Sequence, residues 1–194
     1  MILTVDVLHK IMPRAPALFA EPLAEAMQEF DTNTPARQAM FLANLAHESG
    51  EFRYMQELAS GDSYENNTDL QNHLPEAKAW APDGRAGPWF KGHGPMQITG
   101  YKNHKKYSLI LFGVETALLK NPRLLCEPVH GCRAAAAFVR EEGCLQAADA
   151  ENFLLYCQII NLPPAWRGSK RLPNGWVERY HYYEQARNAL LEAA

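Results

Sequence analysis

From Gly50 to Gly100 the chain abandons helical periodicity for about fifty residues, and this stretch most limits what the sequence can fold into. Turn-forming residues cluster there: Gly61-Asp62-Ser63, Asn66-Asn67, Pro82-Asp83-Gly84 and Gly92-His93-Gly94-Pro95. A compact domain seldom carries so long an irregular segment unless it is disordered or functional. Phe52, Tyr54, Tyr64, Trp80, Trp89 and Phe90 are too many aromatics for a disordered tract, so the segment is expected to pack and to carry a site. Pro95–Thr99 fits one edge of a small β-hairpin; no other alternation within it is long enough to define a strand.

Helical punctuation dominates on both sides. Thr4 followed by Val5, Val7, Leu8 and Ile11 predicts a short helix over 4–12, stopped by Pro13. Leu18, Phe19, Leu23, Met27 and Phe30 form an apolar stripe over 16–30. Thr34 is a good N-cap, Pro35 suits the first helical position, and Gly50 suits the residue just past the end, which defines a third helix. Further helices are predicted over 101–113, 128–141, 149–160 and 175–193, and Ala134–Ala137 permits close approach of a neighbour. At 194 residues one domain over 1–194 is expected, mainly α, with the irregular segment interrupting a helical body.

Charge and cysteine usage remove several function classes. There are 19 Lys+Arg against 22 Asp+Glu, a formal charge of −3, which disfavours sequence-independent nucleic-acid binding. The Lys102, Lys105, Lys106 cluster reads as the solvated face of the helix after Tyr101. No run approaches the roughly 18 apolar residues of a membrane span, so stable membrane insertion is not expected. The N-terminal stretch, broken by Asp6, Glu21 and Glu25, does not read as a secretory signal. Cys126, Cys132, Cys144 and Cys157 lack zinc-type spacing, and buried free thiols are expected rather than disulfides.

His47-Glu48-Ser49-Gly50 closes the third helix directly after the apolar Leu42, Leu45 and Ala46. Partial desolvation and the helix C-terminus both disfavour a carboxylate anion at Glu48, which suits it to donate a proton. Cleavage of a glycosidic bond needs such a donor, because the departing alkoxide is otherwise too basic. It also needs a second carboxylate, for which Glu51, Glu57, Asp62 and Glu65 are candidates. Glu57 cannot share a helical turn with Glu48 if Gly50 ends the helix, so it is free to approach from another element. In Gly92-His93-Gly94-Pro95-Met96-Gln97-Ile98-Thr99-Gly100, Gln97 and Thr99 point the same way if the segment is extended, and their side chains suit sugar hydroxyls or a positioned water. Equally, Thr99 could cap the helix that follows.

Taken together these strings, with Phe52-Arg53-Tyr54, Glu57-Leu58-Ala59-Ser60-Gly61, Tyr64-Glu65, Asn121-Pro122, Ala134–Phe138 and Ile160-Asn161, resemble the family 19 glycoside hydrolases, the plant-type chitinases and especially the phage and prophage endolysins. The Leu8-X-X-Ile11-Met12-Pro13 opening is similar to phage members. The resemblance implies a lysozyme-like, two-lobed, mainly helical fold with a saccharide cleft. It implies Glu48 as general acid and Glu57 as general base of an inverting hydrolysis, with Glu65 the alternative base, and Thr99 as a holder of the attacking water. His47, Tyr64, Glu65, His93, Gln97, Asn103, Asn161 and Arg179 are the implied substrate-contacting or glutamate-orienting residues; no metal or cofactor is implied.

Two departures from the family pattern stand out. His93 replaces the usual arginine of a Gly-Arg-Gly string, losing a permanent charge. The usual Ile-Asn-Gly-Gly string reads Ile160-Asn161-Leu162-Pro163-Pro164, followed by Trp166-Arg167-Gly168-Ser169-Lys170-Arg171, a group that either reads substrate or packs and stays solvated. The expected activity is cleavage of β-1,4 bonds in bacterial peptidoglycan glycan strands by a monomer made in the host cytoplasm and acting on the periplasmic wall after release. Hydrolysis of chitin oligomers is the alternative, and a non-catalytic saccharide-binding relative is a third reading.

Overall fold

A computed structural model describes residues 3–193; residues 1, 2 and 194 of the expected domain lie outside the described residues. Helix α1 (Val5–Ile11) is capped by Thr4, whose hydroxyl accepts the Val7 N–H at 3.3 Å. The stripe over 16–30 folds as a 3₁₀ turn, Ala17–Phe19, leading into α2 (Ala20–Glu29). Helix α3 (Pro35–Ser49) has both expected ends: Thr34 Oγ1 accepts the Arg37 N–H, and Gly50 adopts φ 55°, ψ 47°. Leu42, Leu45 and Ala46 of α3 are fully buried.

The middle segment is irregular but ordered. It holds a 3₁₀ turn at Asp62–Tyr64 and two short helices, α4 (Pro75–Trp80) and α5 (Ala86–Trp89), before α6 (Tyr101–Phe112), which Gly113 ends at φ 71°. Ahead of α6 lies a small hairpin: His93 and Ile98 exchange both backbone hydrogen bonds, at 3.1 and 2.9 Å. Gln56 pairs antiparallel with His93 on the other side, where Gly94 N donates to Met55 O and Glu57 N to Gly92 O. Helix α7 (Ala117–Lys120) and a 3₁₀ turn at Pro122–Cys126 follow.

Helix α8 (Pro128–Glu141) packs on α2, and its Ala135–Ala137 are fully buried. The helix expected over 149–160 is α10 (Phe153–Asn161), which starts four residues later, and a further helix that was not expected, α9 (Cys144–Asp149), precedes it. Glu151 turns the chain at φ 52°, and Asn152 starts α10 by accepting the Leu155 N–H at 3.0 Å, so a capping side chain sets the later start. Helix α11 (Trp176–Glu192) closes the chain and packs along α3.

Two apolar clusters give the molecule its two lobes. The large one gathers α1–α3 and α8–α11; the small one, under the irregular segment, consists of Ala77, Ala86, Phe90, Tyr101 and Leu119, with Trp80 and Trp89 against it. Helix α6 joins them, its Tyr101 in the small cluster and its Tyr107 and Leu111 in the large one. All four thiols are free, three of them buried. Among the described residues no helix is long and apolar enough to cross a membrane. Lys105 and Lys106 of the lysine cluster are paired with Glu115 and Glu142.

Candidate active site

Glu48 lies in the last turn of α3, where the chain reverses sharply. Gly50, Glu51 and Phe52 take φ of 55°, 60° and 67° in succession, and the Glu51 N–H returns to Ala46 O at 2.9 Å. Two bonds hold the unusual backbone. Ser49 Oγ donates to Leu45 O and accepts the Phe52 N–H. The Glu51 carboxylate turns inward, accepting three N–H groups from Arg14 and the Tyr182 hydroxyl. Burial pushes the Glu51 carboxyl up, but these donors outweigh it and hold it below the ordinary range.

The surroundings of Glu48 differ from the apolar pocket that its sequence neighbours suggest. Its Oε1 accepts from Arg179, a guanidinium only 1% exposed in the first turn of α11. Arg179 also donates to Asn44 Oδ1 at 2.7 Å and to Asn174 O at 2.9 Å. Asn44 sits four residues before Glu48, hence on the same face of α3, and anchors itself by donating to Met40 O. Asn161 Oδ1 in turn accepts the Asn174 N–H at 2.8 Å. A continuous polar path therefore runs from Asn161 through the Asn174 backbone and Arg179 to Glu48. It leaves Glu48 Oε2 without a protein partner among the described residues.

Glu57, next to the bridge between Gln56 and His93, accepts from two neutral donors, the Tyr64 hydroxyl at 3.0 Å and the Gly92 N–H at 2.9 Å. Burial first, then the Glu57 carboxylate, push the Tyr64 phenol up, so Tyr64 stays a donor. The other candidate carboxylates of the segment all meet cations. Glu51 is held by Arg14 and Asp62 by Arg85, while Glu65 accepts the Gly87 N–H at 2.7 Å and lies 3.6 Å from Lys78. Gly87 is required there: a Cβ would sit 2.6 Å from Glu65 N and 2.7 Å from Gly61 O.

The hairpin residues hold one another in register. Gln97 donates from Nε2 to Tyr54 O and Gly94 O, leaving Oε1 to accept. Thr99 donates to Gln97 O, and Asn103 donates to Thr99 O. His93 is buried at 2% exposure, with its Nδ1 3.3 Å from His104 Nε2 and its Nε2 3.2 Å from Gln56 Nε2. His104 Nδ1 lies 2.9 Å from Gly100 O, an acceptor only, so that nitrogen must carry a proton. The consistent order is Gln56 N–H to His93 Nε2, His93 Nδ1–H to His104 Nε2, and His104 Nδ1–H to Gly100 O. Each ring is neutral in this order. Burial and the facing imidazole drive His93 down to about 3, and burial drives His104 down to about 4.

His47 binds Glu178 of α11 through Nδ1 at 2.6 Å, and its ring lies against Gly175, where no Cβ could fit. The segment after Asn161 is built inward around buried Gln158, whose Oε1 accepts the Gly168 N–H and whose Nε2 donates to Ser169 O and Arg171 O. Trp166 is 41% exposed and stacked under the Arg171 guanidinium at 3.6 Å. Sequence reasoning missed Asn44, Gln56, His104, Asn174 and Tyr182. Of these only Asn44 carries a readable signal, a polar residue in an otherwise apolar run one turn before Glu48.

No protein-family model matches the sequence. Among solved structures, chitinase C from Streptomyces griseus superposes with a TM-score of 0.73 at 19% identity, covering 97% of this chain and 76% of that one. A bacterial family 19 chitinase gives 0.63 at 20% identity, covering 98% and 95%. The family 19 class IV chitinase from Zea mays gives 0.68 at 18%, covering 98% and 93%. The chain therefore has the fold of these family 19 chitinases.

Proposed function

We propose that this protein hydrolyses β-1,4 bonds between amino sugars with inversion of configuration, and that its polymer is the glycan of bacterial peptidoglycan. The observation that carries the reading is the contrast between the acidic side chains. Glu57 alone among the candidate bases accepts only neutral donors, while Glu51, Asp62 and Glu65 are engaged by cations. A carboxylate bound by a cation is a poorer base, so Glu57 is the one fitted to take a proton from water.

In this mechanism Glu48 donates to the glycosidic oxygen from Oε2, the oxygen that Arg179 leaves free. Arg179 is a positioning residue, holding the glutamate by Oε1. Glu57, fixed by Tyr64 and Gly92, deprotonates a water that attacks the opposite face of the sugar. Thr99 keeps its lone pairs available after donating to Gln97, and Gln97 Oε1 and Asn103 offer acceptors for sugar hydroxyls or acetamido groups. The chain then acts as a monomer on the wall, reaching it after release from the cell that made it.

Chitin is the second reading, because the solved structures sharing the fold are chitinases. Purified peptidoglycan and chitin oligomers, each assayed for new reducing ends with parent and Glu48→Gln, test both. Loss of at least about 100-fold in Glu48→Gln is expected. Mass analysis of the released muropeptides identifies the bond. Release from chitin alone replaces peptidoglycan with the second reading, and release from neither refutes the proposal.

A further inference from the structure

Beside the bridge between Gln56 and His93 lies a cavity of about 280 Å³ that the mechanism does not use. Its polar walls are Gln56, Ser60, Lys91, His93 and Arg123, with Trp89 and two prolines completing it. The pairing of Gln56 with His93, and the alternation of side chains along a strand, put both on the face away from Glu57. The cavity nevertheless begins beside the base on both strands, since Gln56 precedes Glu57 and Lys91 precedes Gly92, whose N–H holds Glu57.

Its charge is one-sided. Neither Lys91 nor Arg123 forms an ion pair among the described residues, although the chain as a whole carries −3. Lys91 Nζ is steadied only by the Ala59 carbonyl at 3.0 Å. Both cations are felt at His93: after burial and His104, their charges push its proton affinity down further, and the ring stays neutral. Trp89 is fixed by its Nε1–H to Leu119 O. Two uncompensated cations and the second Gln56 amide N–H facing a small cavity are the donors a carboxylate takes, while the Ser60 hydroxyl gives its proton to Asp62 Oδ2 at 2.8 Å.

We propose that this cavity binds a carboxylate borne on a flexible arm of the polymer, namely a stem-peptide carboxylate of peptidoglycan, and thereby favours that polymer over neutral chitin. The inference rests on the reading of Glu48 and Glu57 as an amino-sugar hydrolase. An extended arm gains about 3.3 Å per residue, so each residue of a stem peptide carries its carboxylates further from the glycan. The sugars themselves stay on the Glu57 face.

Two measurements test it separately from the hydrolase reading. In the first, Lys91→Gln/Arg123→Gln is compared with the parent on soluble glycan strands with stems, on strands stripped of stems by an amidase, and on chitin hexamer. The expected result is a KM about tenfold higher on stem-bearing strands with kcat unchanged, and unaltered kinetics on the other two. An equal loss on all three substrates, or no change on the first, overturns the inference. In the second, N-acetylmuramyl-L-alanyl-D-isoglutamine is titrated against the labelled protein with chitobiose as control. Amide shifts at Lys91, Gly92 and His93 are expected with the muramyl peptide, and not in the double variant. Absence of these shifts in the parent overturns the inference even if the enzyme is active, and their presence supports it even if hydrolysis fails. Tighter binding of inorganic phosphate than of the muramyl peptide overturns the assignment to a carboxylate.

Discussion

Replacing Arg179 with methionine is expected to destabilise the protein by about 2–4 kcal/mol, most of it from one stranded oxygen. The guanidinium satisfies Asn44 Oδ1, Asn174 O and Glu48 Oε1. Asn44 is 1% exposed, so its oxygen would be left buried without a donor, at about 1–3 kcal/mol. Asn174 is exposed and water can replace the lost bond. The Glu48 side chain is 24% exposed, so the lost bond adds about 1 kcal/mol rather than the full penalty of breaking a buried pair. For a chain of this length the melting midpoint should drop by roughly 4–16 °C in calorimetry. The origin of the loss can be tested by adding Asn44→Leu, which removes the stranded oxygen. In the parent that substitution deprives Arg179 of an acceptor and destabilises; in Arg179→Met it should restore about 1 kcal/mol. Equal destabilisation by Asn44→Leu in both backgrounds, or a midpoint shift under about 2 °C for Arg179→Met, would refute the account.

Four further outcomes follow from the structure. The imidazole signals of His93 and His104 should not titrate by NMR between pH 5.5 and 8, since they lie at about 3 and about 4; a midpoint within that window contradicts the neutral donor chain. Because unfolded histidine binds its proton near pH 6.5, these two groups make stability fall as pH drops from about 6.5 towards 4, a slope that His93→Gln should reduce in urea titrations. Glu51 is held below its ordinary value, so its stabilisation is complete above about pH 4.5 and is lost as pH falls through the lower folded value. Glu51→Gln should destabilise at pH 7 and flatten that acid limb; an unchanged limb would show that Arg14 and Tyr182 do not act through this carboxylate. Gly87→Ala should cost about 2 kcal/mol or more, because the new Cβ meets backbone atoms of Glu65 and Gly61 that no rotamer change can move.

Much of the helical body was readable because its signals are local. Thr4, Thr34, Gly50 and Gly113 end their helices through bonds that reach no further than four residues along the chain. The late start of α10 is also local: the Asn152 side chain caps it four residues into the expected 149–160. The segment from Gly50 to Gly100 was legible as irregular and ordered, but its second apolar cluster was not, because Ala77, Phe90 and Leu119 share no periodicity that a sequence displays.

The sequence alone nominated Glu48 and Glu57 and placed them at the end of α3 and in the loop beyond it. What holds each acid, and which acids are already engaged by a cation, depends on partners far away along the chain. Arg179 reaches Glu48 across 131 residues and Asn44 across 135, and Gly92 reaches Glu57 across 35. Helix propensity and capping act within a single turn, whereas the electrostatic state of a carboxylate depends on whatever charge and water lie within a few ångströms in space. Only the packing of α11 against α3, and of the hairpin against the Glu57 strand, brings those charges and donors into range.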